Sequence, residues 1–316
     1  MCHQLAKCSS IGTTVLKWIA TSALAVSCWA ADWQKVEATE PHMGTLFRIV
    51  VYTQNETAAR VAMGHAFQRA AQLDQTLSDY KPDSELNTLC RTAYFKPVKV
   101  SDDLFRVVAA SLRIARQTNG AFDITLGPLT HQWREARKVG QLPSQTDVDE
   151  ARQRTSYKKV KINRRYQTIQ LMQENMQLDL GGIAKGYAAD QMLEALVAAG
   201  FPRALVAASG DIRVGDAPPG RAGWNVQLHQ QTVELRNQAV STAGPAEQYL
   251  EAGGIRYSHI LDPSTGIGLT NGRTVSVVAP SGMLADGWDT ALCVLGEAGK
   301  NRLARHVAAG RAYFFK

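Results

Sequence analysis

What this sequence lacks narrows its function before what it contains does. Of five cysteines, only Cys90 and Cys293 lie beyond Cys28, far apart and in no C-x-x-C spacing. That gives no support to zinc or a redox dithiol. A pairing of the two stays open, with buried free thiols the preferred reading. No Gly-x-x-x-x-Gly-Lys-Ser/Thr and no Gly-x-Gly-x-x-Gly occurs, so there is neither a Walker loop nor a dinucleotide fingerprint. Without a Lys/Arg block or a basic-aromatic array, nucleic acid is not an expected partner. With no internal repeat and no low-complexity linker, one interlocked α+β unit is favoured over two independent domains. The longest leader run, Trp18–Val26, is too short to span a bilayer.

What is present is ordinary in bulk and specific in places. The 316 residues are 45% hydrophobic and 20% charged, enough for a sizeable core. Lys7 and Lys17 are the only charges ahead of Cys28, and removing them takes the formal net charge from +7 to +5. Their position before the short apolar run suits a signal peptide over residues 1–30. Leu24-Ala25-Val26-Ser27-Cys28 resembles a bacterial lipobox, imperfect at Ala25. It makes Cys28 a candidate acylation site, with ordinary cleavage after Ala30 as the alternative. A leader without twin arginines predicts the general secretory route, a periplasmic location and, through Cys28, an inner-membrane lipid anchor.

Along the body, Gly44–Thr53 alternates as an internal strand, and 57–78 carries Ala62, Ala66, Ala70, Leu73 and Leu77 at helical spacing. A polar turn pinned by Pro82 leads to Ser84 or Asp83 as a cap, and Ser101 opens another helix ending before Asn119-Gly120. Residues 131–156 read as a charged helical insertion over the surface, anchored by Trp133. Strands are expected at Val160–Ile162, Thr168–Leu171, Leu178–Leu180, Ala204–Ala207, Trp224–Leu228, Ala239–Thr242, Ser258–Leu261 and Thr274–Val278. Leu284–Gly296 and Lys300–Ala309 read as helices, and Arg311–Phe315 as a closing strand.

Four segments are polar in ways a core does not require. Leu178–Asp190 predicts a strand end, a Gly181-Gly182 turn and a helix whose inner face is Ala189, Leu193, Leu196 and Val197, closed by Gly200. Lys185 stands in its first turn, where the helix dipole does not favour a cation and a bound anion does. The plain alternative is a glycine turn with a solvated lysine. Ala208–Arg213 holds Asp211 in a small-residue turn. His259, before Asp262-Pro263, suits a proton shuttle or a ligand contact, against a structural histidine. Asp286, Asp289 and Thr290 lie at i, i+3 and i+4, a hard oxygen cluster suited to Mg²⁺ or Ca²⁺. The competing reading is dipole complementation by acids in a first helical turn.

In these segments the chain resembles the FAD:protein FMN transferases, the ApbE family, once labelled thiamine-biosynthesis lipoproteins. The likeness runs in order through Met43-Gly44-Thr45, Leu77–Leu86, Gly120–Leu129, Leu178–Asp190, Tyr257–Gly266 and Ala285–Gly296. It implies a T-fold-like α+β core of two closely associated lobes, with the flavin between them, in a domain spanning 41–316. It implies FAD contacts at Met43, Tyr80, Ala121, Phe122, Asp123, Asp179, Lys185 and the His259-Ile260 pair. Mg²⁺ would be held by the Gly182 carbonyl with Asp286, Asp289 and Thr290. The implied reaction is attack by a threonine hydroxyl of an exported acceptor, such as a redox-complex subunit, on the FMN phosphorus of FAD, with release of AMP. His259, the neutral-pH proton acceptor among the motifs, is the candidate general base. Two other classes stand beside this reading: an FAD-binding protein without transfer, and an FAD pyrophosphatase in which water replaces the hydroxyl. The chain departs from the family pattern at Ser209, Ala243 and Cys90, where glycine, serine and asparagine are usual. The first two bear on turnover more than on flavin binding.

Overall fold

Alternation in Thr45–Thr53 sets the frame of the molecule. Phe47, Ile49 and Val51 are buried on one side and Val50 on the other, so the strand is covered on both faces. The computed structural model describes residues 32–245 and 248–315; the leader, with Cys28 and Ala30, lies outside the described residues. Thr45–Thr53 is second in a seven-stranded antiparallel sheet. Its spatial order follows the chain: Gln34–His42, Thr45–Thr53, Ala204–Ala208, Asp211–Val214, Ala239–Ala243, Thr274–Ala279 and Arg311–Phe315. The first of these strands begins ahead of residue 41, and everything from Trp33 onward forms one compact unit.

Helices Glu56–Leu77, Ala184–Ala198 and Gly282–Leu295 lie side by side over one face. Their alanine and glycine positions let the backbones approach. On the other face the hairpin Trp224–Gln227 with Thr232–Leu235 lays Trp224, Val226, Val233 and Leu235 against Val50, Val214, Val240 and Val278. Helix starts follow the local signals: Ser84 Oγ accepts from the Asn87 amide at 3.0 Å and Ser101 Oγ from Leu104 at 3.3 Å.

A smaller sheet, in the order Val98–Lys99, Thr168–Leu171, Val160–Asn163, shares the main core through Val160, Ile169 and Leu171. The expected two lobes are thus joined by continuous apolar packing. Residues 131–156 are built largely from two helices, Gly127–Val139 and Gln145–Gln153, with a short connection between them. Buried Trp133 anchors the first by donating Nε1–H to the Gly266 carbonyl at 2.9 Å. A satellite core of Leu129, Trp133, Val148, Leu250 and Leu261 fastens this layer to the hairpin Tyr249–Ala252 with Ile255–Ser258.

Three expectations need correction. Leu178–Leu180 is extended but joins no ladder: the Leu178 amide faces Cys90 Sγ at 3.3 Å and the Asp179 amide donates to the Ile124 carbonyl at 2.8 Å. Its alternation reflects wedging into the core between loops. The strand expected at Ser258–Leu261 ends at Ser258, leaving Leu261 in an isolated bridge to Gly268. Val197 is 46% exposed and not on the inner helical face. Cys90 and Cys293 are free thiols. Among the described residues no helix is long and apolar enough to cross a membrane.

Candidate functional site

The strand register gathers several motifs at one end of the large sheet. Met43-Gly44 closes the first hairpin, with φ of 48° and 72° as a tight two-residue turn demands. Ser209-Gly210 closes the hairpin between Ala204–Ala208 and Asp211–Val214, with Ser209 at φ 56°, where a glycine is ordinarily found. Because Phe47 pairs with Ala208, the two turns are neighbours, and the Thr242 amide donates to the Gly210 carbonyl at 3.1 Å.

Asp211, Asp286 and Asp289 converge there, each buried, with carboxylate oxygens within 4.8 Å of one another. Asp286 and Asp289 share the helix Gly282–Leu295 while Asp211 opens the strand Asp211–Val214, and that helix meets its neighbour Ala184–Ala198 at glycines. A Cβ on Gly186 would stand 2.2 Å from the Gly282 carbonyl oxygen, and one on Gly282 would stand 2.3 Å from that of Gly186. The close crossing lets the Gly186 amide donate to Asp286 Oδ2 at 2.9 Å.

Dipole complementation does not account for these acids. The helix starts at Gly282 and carries no acid in its first turn; Ser281 caps it. Asp190, from the neighbouring helix, accepts from the Gly282 and Met283 amides at 2.7 and 2.9 Å and pairs with Arg213 at 2.9 Å. With capping served by Ser281 and Asp190, Asp286 and Asp289 are left to another purpose.

The cluster is electrostatically loaded. Burial pushes the Asp286 and Asp289 carboxyls upward, and the neighbouring carboxylates add to it. Burial also works against the Lys185 ammonium, yet Asp211, Asp286 and Asp289 outweigh it and raise its pKa. Lys185 Nζ sits 3.2 Å from Asp211 Oδ2 and 3.2 Å from the Gly181 carbonyl. The Ser241 hydroxyl touches both Asp211 and Asp289, but its single proton serves only one. One lysine against three acids leaves negative charge that protons or a cation must neutralise. The donors are all hard oxygens. Thr290 Oγ1 lies 3.3 Å from Asp289 Oδ1, and a Cβ on Gly182 would come 2.9 Å from Thr290 Oγ1. Such a set fits Mg²⁺ and not a thiophilic metal. Asp211 and Ser241 were not among the residues expected for the metal. The signal that marked Asp211 was its Ser-Gly-Asp turn.

A second group builds an adjoining cleft of about 560 Å³, lined by Asp79, Tyr80, His131, Arg134 and Arg137. Arg134 organises it. It donates to Asp79 Oδ2 at 2.5 Å and Asp179 Oδ2 at 2.9 Å, and its guanidinium lies 4.0 Å from the Tyr80 ring centroid. Burial opposes the Asp79 charge, but His131 and Arg134 hold its carboxyl below the usual range. Asp179 Oδ1 also accepts from the Gly181 amide at 2.8 Å, which fixes the start of the glycine turn. Tyr80 and Asp179 are therefore brought together by an arginine hidden within the charged helical stretch.

His259 stands just past its strand, half-buried, with Nδ1 3.1 Å from the Gln248 carbonyl. A carbonyl only accepts, so Nδ1 carries the proton and Nε2 presents a lone pair. Burial lowers its pKa from 6.5, and the charges of Arg137 and Lys185 lower it further. Ile260 is buried behind it. In Ala121-Phe122-Asp123, Phe122 is in the core. Asp123 spends its oxygens on Thr125 and on the Tyr157 amide at 2.8 Å, so its side chain serves the fold, while the Phe122 ring packs beside Gly182. Met43 is half-buried against the main core at the tip of the first hairpin.

The sequence profile of the ApbE family matches residues 43–315. The chain is 32% identical over 269 residues to the FAD:protein FMN transferase of Salmonella typhimurium, covering 80% of this chain and 77% of that protein. It is 33% identical over 278 residues to the FAD:protein FMN transferase of Treponema pallidum, with the same coverages of 80% and 77%. Among solved structures, the apo form of the Pseudomonas stutzeri flavinyl transferase ApbE matches with a TM-score of 0.78 at 30% identity, over 89% of this chain and 91% of that one. The Vibrio cholerae flavin transferase ApbE matches with a TM-score of 0.78 at 26% identity, over 90% and 97%. With the profile spanning nearly all of the described unit and an α+β fold shared with these structures, the chain belongs to the ApbE family.

Proposed function

We propose that this protein is an FAD:protein FMN transferase that moves the FMN part of FAD onto a threonine hydroxyl of an exported acceptor protein. The observation that carries the reading is one short loop. Asp179, at its start, is held by the cleft arginine, and Lys185, at its end, reaches the acid cluster. A dinucleotide lying along that loop would meet an aromatic-arginine wall at one end and concentrated acid at the other.

Asp211, Asp286 and Asp289, with Thr290 and the Gly182 carbonyl beside them, would hold Mg²⁺. When bound, Mg²⁺ supplies charge neutralisation for a diphosphate. Lys185 orients a phosphate oxygen by charge, and Tyr80 with Arg134 offers a face for a planar ring. His259 Nε2 accepts the threonine proton as the new oxygen–phosphorus bond forms. The bond to the AMP oxygen breaks, and AMP leaves with the electron pair.

Incubation with FAD, Mg²⁺ and an acceptor domain tests the reading. Covalent fluorescent flavin on the acceptor, with one AMP per flavin, is the expected result. Free FMN and AMP without labelled acceptor would point to a pyrophosphatase, and FAD recovered unchanged to a binding protein. The leader pattern supports export to the periplasm with Cys28 as lipid anchor. Cys28→Ala should then move the protein from the membrane to the soluble fraction, and unchanged fractionation would remove the anchor.

A further inference from the structure

The large sheet carries the site; the small one carries the charge. Residues 94–99 and 157–172 hold Lys96, Lys99, Lys158, Lys159, Lys161, Arg164 and Arg165 and no Asp or Glu, as many cations as the +7 net charge of the chain. The rest of the sequence sums to zero. Five of the seven fall within residues 158–165, a local basic cluster that corrects the expectation of no Lys/Arg block, and antiparallel pairing brings the stretch with Lys96 and Lys99 onto the same sheet. Val98, Ile169 and Ile162 pair across the strands and turn to the core. Lys99 opposite Thr168 and Lys161 opposite Gln170 occupy the outward face. None of the seven cations forms an ion pair among the described residues. Lys159 donates to the Gln153 carbonyl and Gln173, and Arg165 lies 5.5 Å from the Tyr166 ring centroid. The nearest acids in the chain, Asp102 and Glu174, leave them unpaired; Asp102 accepts from Gln167.

Apolar side chains stand at both ends of this strip. Tyr166 follows Arg164-Arg165 in the turn at one end. At the other, Tyr94, Phe95 and Met172 are brought together by the Leu171 amide bonding to the Ala93 carbonyl. Phe95 is 77% exposed, the most exposed large apolar residue described, and it lies beside Lys96.

We infer that the outer face of this small sheet docks on an anionic lipid surface. A protein partner with an acidic face would also meet the charge. However, protein interfaces are depleted in lysine, and five of these seven cations are lysines, flexible and without a carboxylate partner. Dispersed lysines flanked by exposed aromatic rings match the field and headgroup layer of an anionic bilayer. Docked in this way, the chain would sit with its small sheet against the membrane.

Flotation of the full chain with vesicles tests this, comparing phosphatidylcholine alone with phosphatidylcholine containing phosphatidylglycerol. The leader, with Lys7 and Lys17, is common to every sample, so the difference between parent and variant on the same vesicles reads the strip. Binding should need phosphatidylglycerol and fall at high salt. It should drop by roughly tenfold or more in the triple variant Lys99→Glu, Lys161→Glu, Arg164→Glu. Thermal melting and FAD turnover of that variant should match the parent. Phe95→Ser, a single surface change, should weaken binding without altering its salt dependence. Equal binding to both lipids, or salt-insensitive binding of the parent, would overturn the inference. So would a triple variant that keeps vesicle binding but slows transfer to a soluble acceptor, which would give the strip to an acidic protein.

Discussion

Gly186 donates its backbone amide to Asp286 Oδ2 at 2.9 Å, so an acid on one helix is aimed by the main chain of another. The contact exists because Gly186 and Gly282 touch backbone to backbone. Gly186→Ala places a Cβ 2.2 Å from a carbonyl oxygen that cannot step aside, so the helices must separate. We expect a loss of about 1–3 kcal/mol of stability and a larger loss of Mg²⁺-dependent activity. Gly64, in the helix Glu56–Leu77, is the control, because a Cβ there would meet nothing within 4 Å. Gly64→Ala should gain about 0.5–1 kcal/mol. Denaturant midpoints for both variants check the pair.

Asp211→Asn removes one of three clustered carboxylates while keeping its shape. An ion held by this cluster in the folded state, as proposed for Mg²⁺, should raise the melting temperature of the parent. The variant should lose that shift and fall by roughly a hundredfold in transfer. An undiminished Mg²⁺ shift would place the metal elsewhere.

The pH profile follows from His259. Folding depresses its pKa below 6.5, chiefly through burial, so the folded state disfavours the proton. Its contribution to stability is present above 6.5 and is lost as pH falls through the depressed value. Activity should rise along an acid limb centred below 6.5. His259→Ala should abolish that limb and lower kcat by about 10²–10⁴-fold with little change in KM for FAD. A variant that changes only KM would make His259 a binding contact.

Arg134 spans Asp79, Asp179 and the Tyr80 ring at once, which a lysine cannot do. Arg134→Lys should raise KM for FAD by about tenfold with a smaller effect on kcat. Steady-state kinetics separate the two.

Burial raises the Cys90 thiol to about 11 and raises Cys293 as well. Neither should be alkylated in the folded protein at pH 8, and both should react in denaturant. Peptide mapping after iodoacetamide treatment reads this directly.

Where the determining information was local, the sequence disclosed it. Ser84 and Ser101 cap the helices their side chains announce, and both faces of Thr45–Thr53 are covered as its alternation required. Asp286, Asp289 and Thr290 share a helix, so their spacing alone grouped them. Asp211 was less legible because its partner acids arrive on a distant helix through a glycine crossing that no spacing rule encodes. Arg134 was hidden for a related reason: among many charged residues in its helix, only the fold shows which one faces Asp179. Leu178–Leu180 misled because packing between loops imposes the same alternation as a sheet.

The sheet whose strand order follows the chain also has a folding consequence. Its first two strands and its third and fourth are local hairpins, formed at little entropic cost. The joint between them, Phe47 against Ala208, must wait until the chain from Gln54 to Arg203 has been gathered in. Met43 lies on one side of that seam and Asp211 on the other. A half-assembled chain would carry each fragment of the pocket and yet have nowhere for a nucleotide to bind.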